Sequence, residues 1–122
     1  MAVMALRVTE DGIVIPSATI EHLGYRPGSW AAVEVHPLPS SEELQDRALY
    51  YILHHLGDAV YVGEPVREED GWRLPLKVKG RRGTYGHLFL SLLGEVVESR
   101  STSAAELEEA LRAPRARHPA AF

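Results

Sequence analysis

The sequence predicts an α+β fold built in two modules, and three observations carry that expectation. The stretch His36–Pro37–Leu38–Pro39–Ser40–Ser41 places two prolines between halves of different patterning and interrupts any regular element there. Upstream of it, short β-forming runs are separated by Gly and Pro signals. Downstream, an apolar period of four residues gives way to strict alternation and then to a second, shorter helical pattern. The expected organisation is a first module over 1–38, a helix–β-meander–helix unit over 40–113, and a mobile tail over 114–122.

In the first module, Leu6–Thr9 and Ile13–Ile15 read as strands around a Glu10–Asp11–Gly12 turn. Pro16 fixes φ and suits the first turn of a helix, which Leu23–Gly24 closes. Pro27–Gly28 fits the two central positions of a type II turn. A strand over Trp30–His36 follows, with Ala31, Val33 and Val35 on one face and Glu34 and His36 on the other. Three strands and one helical turn fall below the roughly 40 residues at which a chain usually folds unaided. The module is therefore expected to pair with a second copy.

In the second module, Ser40 with Glu43 fits a capping box opening a helix to about Leu56. Leu44, Ala48, Ile52 and Leu56 recur every four residues, Leu49 and Leu53 widen the stripe, and Gly57 supplies the stop. Ala59–Val66 reads as a strand before the Glu68–Gly71 turn. Gly71–Lys79 then alternates, with Trp72, Leu74, Leu76 and Val78 opposite Arg73, Pro75, Lys77 and Lys79. Pro75 places that strand at a sheet edge. Strands over Tyr85–Leu92 and Glu95–Glu98 are expected next. A capping box at Ser103 and Glu106 then opens a helix through Leu107 and Leu111 that Pro114 ends.

The order strand, turn, strand, Ile15–Pro16, short helix, Leu23–Gly24, Pro27–Gly28, strand resembles the swapped-hairpin AbrB-like family (AbrB/SpoVT/MazE-type) over about residues 5–36. That family includes bacterial transition-state regulators, sporulation regulators and many antitoxins. The motif positions are Gly12, Pro16, Leu23, Gly24, Pro27 and Gly28. The resemblance implies an intertwined homodimer, a swapped-hairpin β-barrel module, and a transcription regulator with its basic face on DNA. Three departures bear on this. Ile13, Ile20 and Glu21 stand where DNA-binding members carry basic residues, and the first turn is one residue shorter. The chain also passes through Pro37 and Pro39 into a helix where the family adds a fourth strand. Over residues 1–40, Arg7 and Arg26 face four acids, Glu10, Asp11, Glu21 and Glu34. Phosphate neutralisation supplies nearly all non-specific DNA affinity, and a net-negative module lacks it.

The densest basic stretch is 71–87, where Arg73, Lys77, Lys79, Arg81 and Arg82 occur with no acid, flanked by Trp72 and Tyr85. Cations beside aromatics suit phosphate and base contacts. On a strand they also serve as a solvated face that blunts an edge, and Glu68, Glu69 and Asp70 lie close enough to neutralise them. The DNA-binding candidates are therefore Arg7, Arg26, Arg73, Lys77, Lys79, Arg81 and Arg82.

No nucleophile elbow, phosphate-binding glycine loop or cysteine is present, so no catalytic residue, cofactor or metal site is expected. The adjacent His54–His55 pair points about 100° apart on a helix and does not chelate as an i, i+4 pair would. The chain has 122 residues and net charge −4, with no basic leader and no apolar run of membrane-spanning length. A cytoplasmic protein that does not enter membranes is expected. Its candidate partners are itself, DNA, and a protein or small effector at the second module. The alternative to a regulator is a dimeric interaction or effector-binding module that keeps the scaffold without binding DNA.

Overall fold

A computed structural model describes residues 3–112. The elements are α1 (Ser17–His22), α2 (Ser41–His55), β1 (Val60–Val62), β2 (Val66–Glu68), β3 (Gly71–Val78), β4 (His87–Ser91), a 3₁₀ turn at Glu98–Arg100, and α3 (Ala104–Arg112). Helix and sheet are mixed, and the four strands pair antiparallel, so the α+β class holds. The tail over 114–122, and with it Pro114, lies outside the described residues.

α2 begins where the capping box places it. The Ser40 hydroxyl accepts from the Glu43 N–H, and the Glu43 carboxylate accepts from the Ser40 N–H. Leu44, Ala48 and Ile52, one turn apart, are fully buried. They meet Leu74 and Leu76 from β3, Leu88 and Leu90 from β4, Val60 from β1 and Leu107 from α3. Burying each such Leu or Ile side chain stabilises the fold by about 1.5–3 kcal/mol. Leu49 and Leu53 do not join this core: both are exposed on the opposite face. Their 100° steps from Ala48 and Ile52 carry them past the sheet contact.

β3 is the centre of the sheet, not an edge. β1 pairs along Leu76–Val78 and β2 along Gly71–Arg73 on one side, while β4 pairs along Gly71–Pro75 on the other. The expected strand over Ala59–Val66 is broken into β1 and β2, and the break explains how Pro75 sits in a central strand. The Gly63 N–H donates to the Pro75 carbonyl at 3.0 Å. The Gly63 carbonyl, which a residue with an N–H at position 75 would engage, instead accepts from Gln45 Nε2 at 3.2 Å. A proline has no donor to lose there. The expected strand over Glu95–Glu98 is reduced to a bridge, Leu90 with Val96, before the chain turns into Glu98–Arg100. The 98–102 return then lies along β4, where the Thr102 N–H donates to the His87 carbonyl at 2.8 Å.

The first module differs most from expectation. The strands read over Leu6–Thr9, Ile13–Ile15 and Trp30–His36 are absent as strands, and only a Thr9–Gly12 bridge closes the first turn. The turn and helix signals hold locally. α1 ends with the Tyr25 N–H on the Ile20 carbonyl and the Gly24 N–H on the Glu21 carbonyl, the paired bonds of a Schellman end. In the Pro27–Gly28 turn, the Ser29 N–H donates to the Arg26 carbonyl at 3.1 Å, and Gly28 takes φ +88°, which a side chain would strain. What is missing is pairing. No residue from 3 to 39 is buried. From Trp30 to Pro39 no backbone group makes a backbone hydrogen bond among the described residues.

Candidate nucleic-acid interface

Alternation in β3 sends Leu74, Leu76 and Val78 into the core and Arg73, Pro75 and Lys77 to the outer sheet face. Tyr61 from β1 and Val66 from β2 register beside Lys77 and Arg73 on that face, and His87 from β4 beside Pro75. Val66, Arg73, Pro75, Thr84, Gly86 and His87 line a shallow groove of about 360 Å³.

The five cations of 71–87 do not act as one patch. Arg73 Nε donates to Glu68 Oε2 at 2.7 Å and a second nitrogen to Glu68 Oε1 at 3.3 Å, closing a fork across the β2–β3 hairpin. That hydrogen bond holds the Glu68 carboxyl below its ordinary pKa and raises the guanidinium's. A depressed carboxylate stays ionised at neutral pH, and its contribution to stability is lost only as pH falls through its lowered folded value. Arg73 is therefore neutralised wherever the protein would meet nucleic acid. Arg81, in the β3–β4 turn, donates to the Leu111 carbonyl at 3.0 Å and ties the turn to the end of α3. Lys77, Lys79 and Arg82 make no ion pair among the described residues. Lys79 and Arg82 are exposed, and Lys77 is half-buried beside Tyr61. Arg7 and Arg26 lie exposed on the N-terminal segment, again without an ion pair among the described residues.

A further cation, Arg100, joins the outer face without any local sequence signal. Its guanidinium lies 3.6 Å from the centroid of the Phe89 ring and pairs with Asp70, whose carboxyl that hydrogen bond lowers. His87 Nε2 lies 3.0 Å from the Arg100 carbonyl. Arg100 reaches this face only because the chain returns along β4 after the Glu98–Arg100 turn, a long-range fact that no spacing encodes. Its charge too is matched by an acid.

The second concavity, about 600 Å³, runs between α2 and the turn after β4 and is lined by Arg47, Tyr50, Tyr51, His54, His55, Gly94, Glu95 and Val96. Tyr50 and Tyr51 each pack a ring against the histidine one turn on, with centroids 4.3 Å apart. The Arg47 guanidinium donates to the Leu93 and Gly94 carbonyls at 3.4 Å. Among the described residues no cluster of His, Asp and Glu could hold a metal, and no helix is long and apolar enough to cross a membrane. No family model matches the chain, and neither a curated protein nor a solved structure matches it.

Proposed function

We propose that the protein is a homodimeric, DNA-binding transcription regulator of the AbrB-like type, with residues 5–36 of two copies completing one β-module. The observation that carries this reading is the backbone of Trp30–Pro39, which has extended-strand patterning and makes no backbone hydrogen bond among the described residues. Trp30 is 96% exposed, and Val33 and Val35 are exposed beside it. Unpaired strand backbone with apolar side chains is what a second strand covers. The preformed Gly24 end and Pro27–Gly28 turn supply the geometry that an AbrB-like hairpin would use.

In this reading phosphate meets Lys77, Lys79 and Arg82, the three cations of the basic stretch without an ion pair or side-chain hydrogen bond among the described residues. Two copies supply six. Each phosphate neutralised contributes about −0.9 to the slope of log affinity against log salt, so a dimer using all six should show a slope of about −5. Affinity for mixed-sequence duplex should then fall about 10³-fold between 50 and 200 mM salt. Replacing Lys77, Lys79 and Arg82 by Ala should flatten that slope, whereas Arg7→Ala with Arg26→Ala tests the face the family resemblance implies. A wild-type protein that binds no duplex even at low salt would sink the regulator reading.

A second reading is favoured by the charge geometry. Arg73 and Arg100 are matched by Glu68 and Asp70, and Arg81 is spent on a carbonyl. With net charge −4 per chain, an interaction or effector-binding module on the same dimeric scaffold needs none of them for DNA.

A further inference from the structure

The outer face of the sheet carries an exposed aromatic ring at its basic end. Tyr61 of β1 lies directly across from Lys77 of β3. Val60 and Val62 turn inward to the core, so the Tyr61 ring stands outward, 42% exposed. It makes no hydrogen bond or ring contact among the described residues. The ladder runs one pair beyond β3, because the Lys79 N–H donates to the Ala59 carbonyl at 2.9 Å. Lys79 therefore falls on the same face as Lys77, about 7 Å along the strand. Gly80 then turns the chain at φ +77° into Arg81 and Arg82. Arg81 keeps its charge while donating to the neutral Leu111 carbonyl, and Lys77, Lys79 and Arg82 have no ion pair among the described residues. The acids flanking β1 are Asp58 and Glu64. Neither forms an ion pair among the described residues, and Glu64 accepts from the Ser41 hydroxyl at 3.1 Å. Four cations thus surround one ring against two flanking acids.

We infer that this surface takes single-stranded nucleic acid in preference to duplex, with Tyr61 stacked on a base and Lys77, Lys79 and Arg82 on the phosphates beside it. The inference rests on the proposed reading only for the phosphate role of those three cations. The ring decides between the two forms. Inside a duplex both faces of each base are covered by its neighbours, so an exposed tyrosine has nothing to stack on unless the helix opens. An unpaired base offers a free face, and stacking it on one aromatic side chain raises affinity about 5–150-fold with little regard to sequence. Access is open from the side. β1 is an edge strand that pairs with β3 alone, so among the described residues no further strand walls off Tyr61. The chain's net charge of −4 supplies no long-range attraction, so binding depends on local contacts and the ring's share of it is large.

Fluorescence anisotropy on the full chain at low salt tests this with labelled oligothymidylate, oligouridylate and a mixed-sequence duplex of equal length. At least one single strand should bind about fivefold or more tightly than the duplex, and which one does so separates DNA from RNA as the source. Tyr61→Leu should weaken single-strand binding by at least about fivefold and duplex binding by less than about twofold. Tyr61→Phe keeps the ring and should bind like the wild type, which ties the loss in Tyr61→Leu to stacking. Lys77→Gln with Lys79→Gln should weaken every probe that binds. A duplex bound as tightly as both single strands overturns the inference and leaves the duplex reading standing. So does a Tyr61→Leu variant that loses nothing, or loses equally on all probes. Single strands bound without duplex would leave the inference standing and sink the regulator reading. No binding of any probe at low salt overturns both.

Discussion

Gly63 and Pro75 explain each other. The backbone of Gly63 runs so close to the proline ring that a Cβ there would meet Pro75 Cγ at 2.9 Å, closer than such contacts allow. The same glycine donates to Pro75 and yields its own carbonyl to Gln45, so one residue in the β1–β2 break, one on β3 and one on α2 settle one gap in the sheet. Gly63→Ala should therefore destabilise the fold by about 1–3 kcal/mol, the usual consequence of forcing one carbon into a filled site. Urea unfolding of the full chain measures it. A loss below about 0.5 kcal/mol would mean that the ring moves aside and that the gap is looser than its geometry indicates. Arg73 shows the complementary point at the same scale. Its chemistry as a cation is legible from its name, yet its availability is decided by Glu68 across the hairpin.

At the scale of elements, local signals were sufficient wherever one element satisfies its own groups. Both capping boxes form: the Ser103 hydroxyl accepts from the Glu106 N–H at 3.1 Å, as Ser40 does for Glu43. Removing the first by Ser40→Ala should lower stability by about 1 kcal/mol. That corresponds to about 4–8 °C in the melting point of a unit this size. A thermal scan that shows no shift would mean that the N-terminus of α2 is held by tertiary contacts instead of its cap. The alternation of Leu74, Leu76 and Val78 was legible for the same reason, since each side chain's face follows from its place in the strand. What the sequence did not show were facts about partners. Pro75 read as an edge signal because the rule assumes an unbroken neighbour, and the neighbour is broken at Gly63. Leu49 and Leu53 read as core because apolar spacing alone cannot tell a buried face from an exposed one. Arg100 was invisible because its site is made by chain return.

For the whole molecule the two modules differ in what holds them. Residues 40–112 enclose a core in which Leu44, Ile52, Leu74, Leu76, Leu88 and Leu90 are fully buried, and β3 is paired on both sides. Residues 3–39 bury nothing, and the last ten of them make no backbone hydrogen bond among the described residues. Amide exchange follows the free energy of opening each hydrogen bond, so the two modules should respond differently to dilution. Core amides of β3 and β4 should exchange at rates independent of protein concentration. Amides of Trp30–His36 should be protected at concentrations that favour a dimer and should lose protection on dilution, because binding to a second copy stabilises by mass action. Exchange measured across a hundredfold concentration range makes the comparison. Protection of Trp30–His36 that persists unchanged on dilution would mean that the segment completes itself within one chain, and the dimeric β-module would have to be abandoned. Loss of protection in both modules together would mean that the second depends on the first, against a core that is closed without it.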